Sequence, residues 1–256
     1  MSKITKAFEN KKTLIAFITG GDPDIETTKK LIITIAKAGA DIIEIGIPFS
    51  DPVAEGPVIQ AASERALQAG TTVDKLFDMI KNVRNQGVDI PLLFMTYANP
   101  IFVYGTDKFL SRSVESGING LIVPDMPYEE SRDFKELAKK SDIDFIDLVA
   151  PTSGDRIDFI TKHSTGFVYC VSTTGVTGTR DSVAKEAKSV VDRVKKATKT
   201  PATLGFGIST PEQAKEVSQY AHGVIIGSAI VKIVAEHGKD CLPHVEKFIK
   251  DIRVAM

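Results

Sequence analysis

Along the chain, short apolar runs alternate with longer stretches in which apolar residues recur at helical spacing. Eight such runs stand out, at residues 13–19, 41–46, 91–96, 120–123, 144–149, 166–171, 201–205 and 223–226. Each is short and largely apolar, as expected of strands buried on both faces. Between them, sets such as Leu31, Ile32, Ile35 and Ala36, or Val190, Val191 and Val194, mark one face of a helix. A short helix is expected at 4–8, ahead of the first strand, and another at 239–254, after the last. Regular alternation of strand and helix implies a parallel sheet, and eight repeats favour a closed (β/α)₈ barrel over an open doubly wound sheet. No linker, low-complexity segment or composition break interrupts the pattern, so residues 1–256 are expected to form one domain.

The second run carries an anomaly: Glu44 sits among Ile42, Ile43 and Ile45. A glutamate is rarely buried unless it is paired or functional. By strand parity Glu44 shares a face with Ile42 and Gly46, which in a barrel is the lumen. A loop punctuated by Pro48, Pro52 and Pro57 follows at once and adds Asp51 and Glu55. Desolvation favours a protonated Glu44, whereas Glu55, on a more exposed loop, is expected to stay ionised. Such a pair suits acid–base chemistry, although Glu55 also fits an ordinary solvated loop acid and Glu44 a structural acid paired with a lysine.

Barrel active sites lie at the C-terminal strand ends, and the unusual residues of this chain cluster there. Gly207, Gly227 and Ser228 follow the seventh and eighth runs, where backbone N–H groups and a helix N-terminus are suited to hold a phosphate. No Gly-x-x-x-x-Gly-Lys segment points to a nucleoside triphosphate.

Composition narrows the remaining classes. Lys and Arg number 32 against 33 Asp and Glu, so no basic excess argues for nucleic acid. No run approaches the ~20 apolar residues of a membrane span. The polar stretch Glu9, Asn10, Lys11 and Lys12 does not read as a signal-peptide core. Cys170 and Cys241 supply no disulfide framework, and a reducing cytoplasm is the expected compartment. Cys170 reads as a small buried hydrophobe rather than a nucleophile. His163, His222, His237 and His244 lack paired ligand spacing, so no metal is expected.

Several segments together resemble one family, the α subunit of tryptophan synthase. They are Phe17-Ile18-Thr19-Gly20-Gly21-Asp22-Pro23, residues 44–60 with Pro48-Phe49-Ser50-Asp51-Pro52, Tyr97-Ala98-Asn99-Pro100, Val123-Pro124-Asp125-Met126-Pro127, Tyr169-Cys170-Val171-Ser172 with Gly175-Val176-Thr177-Gly178, Gly205-Phe206-Gly207-Ile208 and Gly227-Ser228-Ala229. The resemblance implies retro-aldol cleavage of indole-3-glycerol phosphate to indole and glyceraldehyde 3-phosphate, without metal or organic cofactor. It also implies a β subunit that receives the indole in an α₂β₂ assembly. Glu44 and Glu55 match the family's catalytic carboxylates. Phe17, Ile59, Tyr97, Tyr169, Thr177 and Phe206 match its indole and glycerol pocket, and Gly178 joins Gly207, Gly227 and Ser228 around the phosphate. Asp51 matches a loop residue that faces the β subunit. Asp125 is either part of the pocket or an N-terminal acid of a helix at 127–140. Residues 173–185, rich in Thr, Gly and Ser, suit either a lid over the phosphate end or an ordinary loop.

One position departs from the family. Its loop usually carries Asp before Gly-Pro, where this chain has Glu55, and the extra methylene moves the carboxylate by on the order of 1 Å. Three functions remain in view: a lyase active with its β partner, a free-standing indole-releasing lyase, and a weak subunit kept to activate the partner. Outside the family, sugar-phosphate epimerases are the runner-up, and they typically need metal-binding histidines at strand ends.

Overall fold

The computed structural model describes residues 1–171, 180–205 and 207–256, without the side chains of 180–184. Among the described residues, nine strands form one parallel sheet: β1 (Thr13–Thr19), β2 (Ile42–Gly46), β3 (Leu92–Met95), β4 (Gly120–Ile122), β5 (Asp144–Phe145), β6 (Asp147–Val149), β7 (Val168–Val171), β8 (Ala202–Gly205) and β9 (Gly223–Ile226). The spatial order is β5-β4-β3-β2-β1-β9-β8-β7-β6. The two outermost strands are consecutive in the chain, so the sheet curls into a barrel closed by the chain itself.

The run expected as one strand at 144–149 is therefore split. Its first half pairs with β4, and the Ile146 N–H still donates to Leu121 O at 2.9 Å. From Asp147 onward the partner is β7. Changing partners around Ile146 breaks the ladder of a single strand while it joins the two edges.

Strand parity sorts the apolar residues into two layers. Ile15, Ile42, Leu93, Ile122, Ile146, Phe167 and Ile225 fill the barrel interior. Leu14, Ala16, Ile18, Ile43, Ile45 and Phe94 pack instead under the surrounding helices, for example against Leu31, Ile32 and Ile35 of the helix Ile25–Ala38. Burial on both faces explains why the strands read as continuous apolar runs. The N-terminal helix, Lys3–Lys6, is shorter than expected and plugs the floor with Ile4, while Phe8 lies 5.8 Å from Phe167, ring centre to ring centre. The C-terminal helix runs Leu242–Ala255, because Gly238–Asp240 forms a 3₁₀ turn first.

The helix expected at 127–140 spans only Arg132–Lys140. Ser131 donates from its backbone to Pro127 O and from its hydroxyl to Tyr128 O, closing turns in place of helix. Among the described residues, no helix is long and apolar enough to cross a membrane.

Candidate active site

Ile15 and Phe17 of β1 face inward, and β1 lies beside β2 with Ile15 opposite Ile42 and Phe17 opposite Glu44. Glu44 therefore occupies the layer above the apolar floor, at the C-terminal ends of the strands. Phe17 packs there with Ile59, Ala62 and Val231, and Ile59 and Ala62 come from the helix Pro57–Gln68. Two strand-end glycines make room for the aromatic walls: a Cβ at Gly46 would lie 2.8 Å from the Phe17 ring, and one at Gly205 would lie 2.6 Å from the Tyr169 hydroxyl.

These walls enclose a cavity of about 460 Å³, within the usual size of small-molecule sites. One part of its lining is apolar and carries an acid: Phe17, Ile59, Met95, Tyr169 and Ile225, with Glu55. The other part is polar: Gly207, Ser209, Gly227, Ser228 and Lys232. Ser228 begins a helix running to His237, whose first N–H groups have no carbonyl of their own helix to bond.

Glu44 is fully buried, and neither carboxylate oxygen has a hydrogen-bond partner among the described residues. The structural alternative of a lysine pair is thus absent among them. Burial alone pushes its pKa up to about 8, so at neutral pH it holds a proton ready to give. Tyr169, also buried, is raised well above its usual range, first by burial and then by the Glu44 charge, and remains a neutral phenol.

Glu55 is half-buried rather than solvated. Burial raises its pKa, donation from Tyr97 opposes this, and the Asp125 charge adds to the rise. The Tyr97 hydroxyl donates to Glu55 Oε2 and accepts the Ala54 N–H at 3.0 Å. Burial therefore raises both acids, contrary to the expectation of a solvated Glu55, and they differ in that Glu44 has no polar partner among the described residues whereas a phenol donates to the Glu55 carboxylate.

Of the residues singled out from the sequence, Glu55, Phe17, Ile59, Tyr169, Gly207, Gly227 and Ser228 line this one cavity. Glu44 lies beside two of them, Phe17 and Tyr169. Tyr97 and Asp125 stand outside the lining described: Tyr97 holds the loop, and exposed Asp125 accepts the Ala98 N–H at 2.9 Å, capping the helix Ala98–Tyr104 rather than one of its own. Thr177, Gly178, Phe206 and residues 173–179 of the expected lid lie outside the described residues. Asp51 is exposed on the loop and bonds Ser50 Oγ at 2.5 Å. His222 Nδ1 accepts the Ala202 N–H at 2.9 Å, and His237 stacks on His244 at 3.7 Å.

Lys232 was missed in the sequence. It follows Ser228 by four positions in one helix, a spacing that places both on one face. Ser209, Met95 and Phe248 also line the cavity, and no local pattern marks them.

Comparison with known proteins agrees with this geometry. The family model described as "Tryptophan synthase alpha chain" matches residues 4–255. The tryptophan synthase alpha chain of Lacticaseibacillus casei is 48% identical over 256 residues, covering 100% of this chain and 96% of that protein. That of Thermoanaerobacter sp. (strain X514) is 46% identical, with 99% of each covered. Among solved structures, the alpha chain of Legionella pneumophila superposes with a TM-score of 0.90 at 37% identity, covering 100% of this chain and 97% of that one. A chain of the tryptophan synthase complex from Pyrococcus furiosus gives 0.86 at 33% identity, covering 94% and 98%. A barrel with this site, matched from end to end, belongs to the tryptophan synthase alpha chain family.

Proposed function

We propose that this chain cleaves indole-3-glycerol phosphate to indole and glyceraldehyde 3-phosphate, with Glu44 as the acid and Glu55 as the base. The observation that carries the assignment is Glu44, fully buried and without a partner among the described residues, beside the aromatic walls of a cavity that also holds Glu55. Ionised Glu55 takes the ring N–H proton while protonated Glu44 delivers its own to the ring carbon bearing the side chain. The Glu44 carboxylate then takes the proton of the neighbouring hydroxyl. The C–C bond breaks, its electrons enter the ring, the hydroxyl carbon becomes the aldehyde, and the ring nitrogen recovers a proton from Glu55. Both acids end as they began, so no external reductant or base is consumed. A protonated Glu44, and a Glu55 whose anion receives a hydrogen bond from Tyr97, are what this exchange requires.

Phe17, Ile59 and Tyr169 would hold the indole ring, and the N–H groups of Gly207, Gly227 and Ser228 the phosphate. A partner is supported by what lies beside the mouth. Val53 on the loop and Phe102 and Val103 on the helix Ala98–Tyr104 are 80%, 60% and 80% exposed. Exposed apolar side chains on the loop that carries Asp51 and on the helix after β3 suit docking of a β subunit that receives the indole. The two free, buried cysteines suit a reducing cytoplasm.

Indole formation from indole-3-glycerol phosphate, with and without added β subunit, tests the reading. Activity that requires or strongly increases with the β subunit is expected. High activity alone that the β subunit leaves unchanged would mark a free-standing lyase, and none in either state would remove the catalytic assignment.

A further inference from the structure

The departure at position 55 acquires a physical role once its partner is seen. Tyr97 is only 2% exposed. Its ring packs on Phe49 with centroids 5.3 Å apart, and its backbone forms the N-cap of the helix that Asp125 secures through Ala98. The phenol is thus fixed from both sides, and its oxygen engages the catalytic loop twice, through the Ala54 N–H and the Glu55 carboxylate. We propose that Tyr97 is a positioning residue: it binds Glu55 Oε2 and the preceding amide so that Oε1 is left for the ring N–H of the substrate. The inference rests on the reading of Glu55 as the base.

Three consequences follow from the geometry. A glutamate carries more free torsions than an aspartate, and ordering a long side chain opposes a defined orientation. A rigid donor fixes one oxygen and offsets that cost. A half-buried carboxylate near Asp125 is also driven toward its neutral form, and a hydrogen bond to the charged form counters this. Finally, the bond needs the longer arm: an aspartate would end about 1.5 Å short, one C–C bond. The titratable groups around Glu55 are Tyr97 and Asp125, with Tyr169 and Lys232 sharing the cavity.

Tyr97→Phe removes the hydroxyl and keeps the ring on Phe49. In the assay with β subunit present, kcat is expected to fall by about 10- to 100-fold with KM within about twofold, the scale of a small misplacement of a reacting group. The low-pH limb of the kcat/KM profile should move to higher pH, because the Glu55 anion has lost a donor. Glu55→Asp should lower kcat as well, because the shorter acid leaves Tyr97. Adding Tyr97→Phe to Glu55→Ala should change nothing further. If Tyr97→Phe keeps the parent kcat and pH limb while Glu55→Ala is inactive, the positioning role is overturned and the base assignment stands. Full activity in Glu55→Ala overturns the base assignment, and this inference with it. Should Tyr97→Phe melt earlier, profiles taken at a temperature where both proteins are folded decide the matter, and coincident limbs overturn the proposal.

Discussion

The two ends of the barrel treat polar groups in opposite ways. Where the strands begin, Arg84 donates to the carbonyls of Gly117, Val88 and Ile90 and to Asn119 Oδ1, which also accepts the Leu92 N–H. Asp41 is equally occupied, by the Leu14 N–H, by Lys11 and by Arg253. Where the strands end, the Glu44 carboxylate and the hydroxyls of Thr19 and Thr96 are buried with no partner among the described residues. Native proteins satisfy nearly all buried polar groups, so a concentration of exceptions needs an explanation. At the strand starts Asp144 Oδ2 is also without a partner among the described residues, but Arg84 and Asp41 there are spent on holding strands together. At the strand ends the Glu44 carboxylate is left unpaired among the described residues beside the cavity walls, in agreement with the division of labour between the faces of such barrels.

The largest effect that separates the two ends is catalytic. Glu44→Gln keeps shape and volume but cannot deliver a proton. It should fold normally and lower kcat by about 10²- to 10⁴-fold in the presence of the β subunit. A loss below about tenfold would return Glu44 to a structural role.

The same residue should leave a signature in stability. Its pKa is near 8 in the folded chain and 4.5 as a free side chain. The native state therefore binds the proton more tightly, and stability from this group is complete below pH 4.5 and declines as pH rises through about 8. The full difference corresponds to on the order of 5 kcal/mol. Urea unfolding at pH 5 and pH 9 should show Glu44→Gln gaining on the parent protein at the higher pH only. Equal gains at both would mean that the charge is not the cause.

At the opposite end Arg84→Ala should cost about 3 kcal/mol of folding stability, by leaving several partly buried acceptors without a donor. Its kcat per folded molecule should stay within about twofold. A large change in kcat with stability intact would break the division between the ends.

Much of this architecture is legible along the chain. All eight apolar runs become strands, with boundaries moved by a residue or two, because burial on both faces writes itself as an unbroken run of Ile, Leu and Val. Glu44 was placed in the lumen by parity alone, since side chains alternate along a strand whatever the neighbouring strands do. Gly207, Gly227 and Ser228 were grouped through their shared position after consecutive strands, and they do line one cavity. The split at Ile146 was not legible, because it reflects the partners of a strand and not its own sequence.

Period and parity, and with them the fold and the inward acid, are local properties that the sequence by itself determined. The tertiary structure decided which side chains meet across long separations. Tyr97 and Glu55 lie 42 residues apart, and Asp125 lies 27 beyond Ala98. No spacing rule joins such pairs, because their meeting depends on strand order, barrel curvature and loop path together. For that reason Tyr97 is a pocket aromatic only through the family resemblance, and only the folded barrel presents its hydroxyl to the acid on the neighbouring loop.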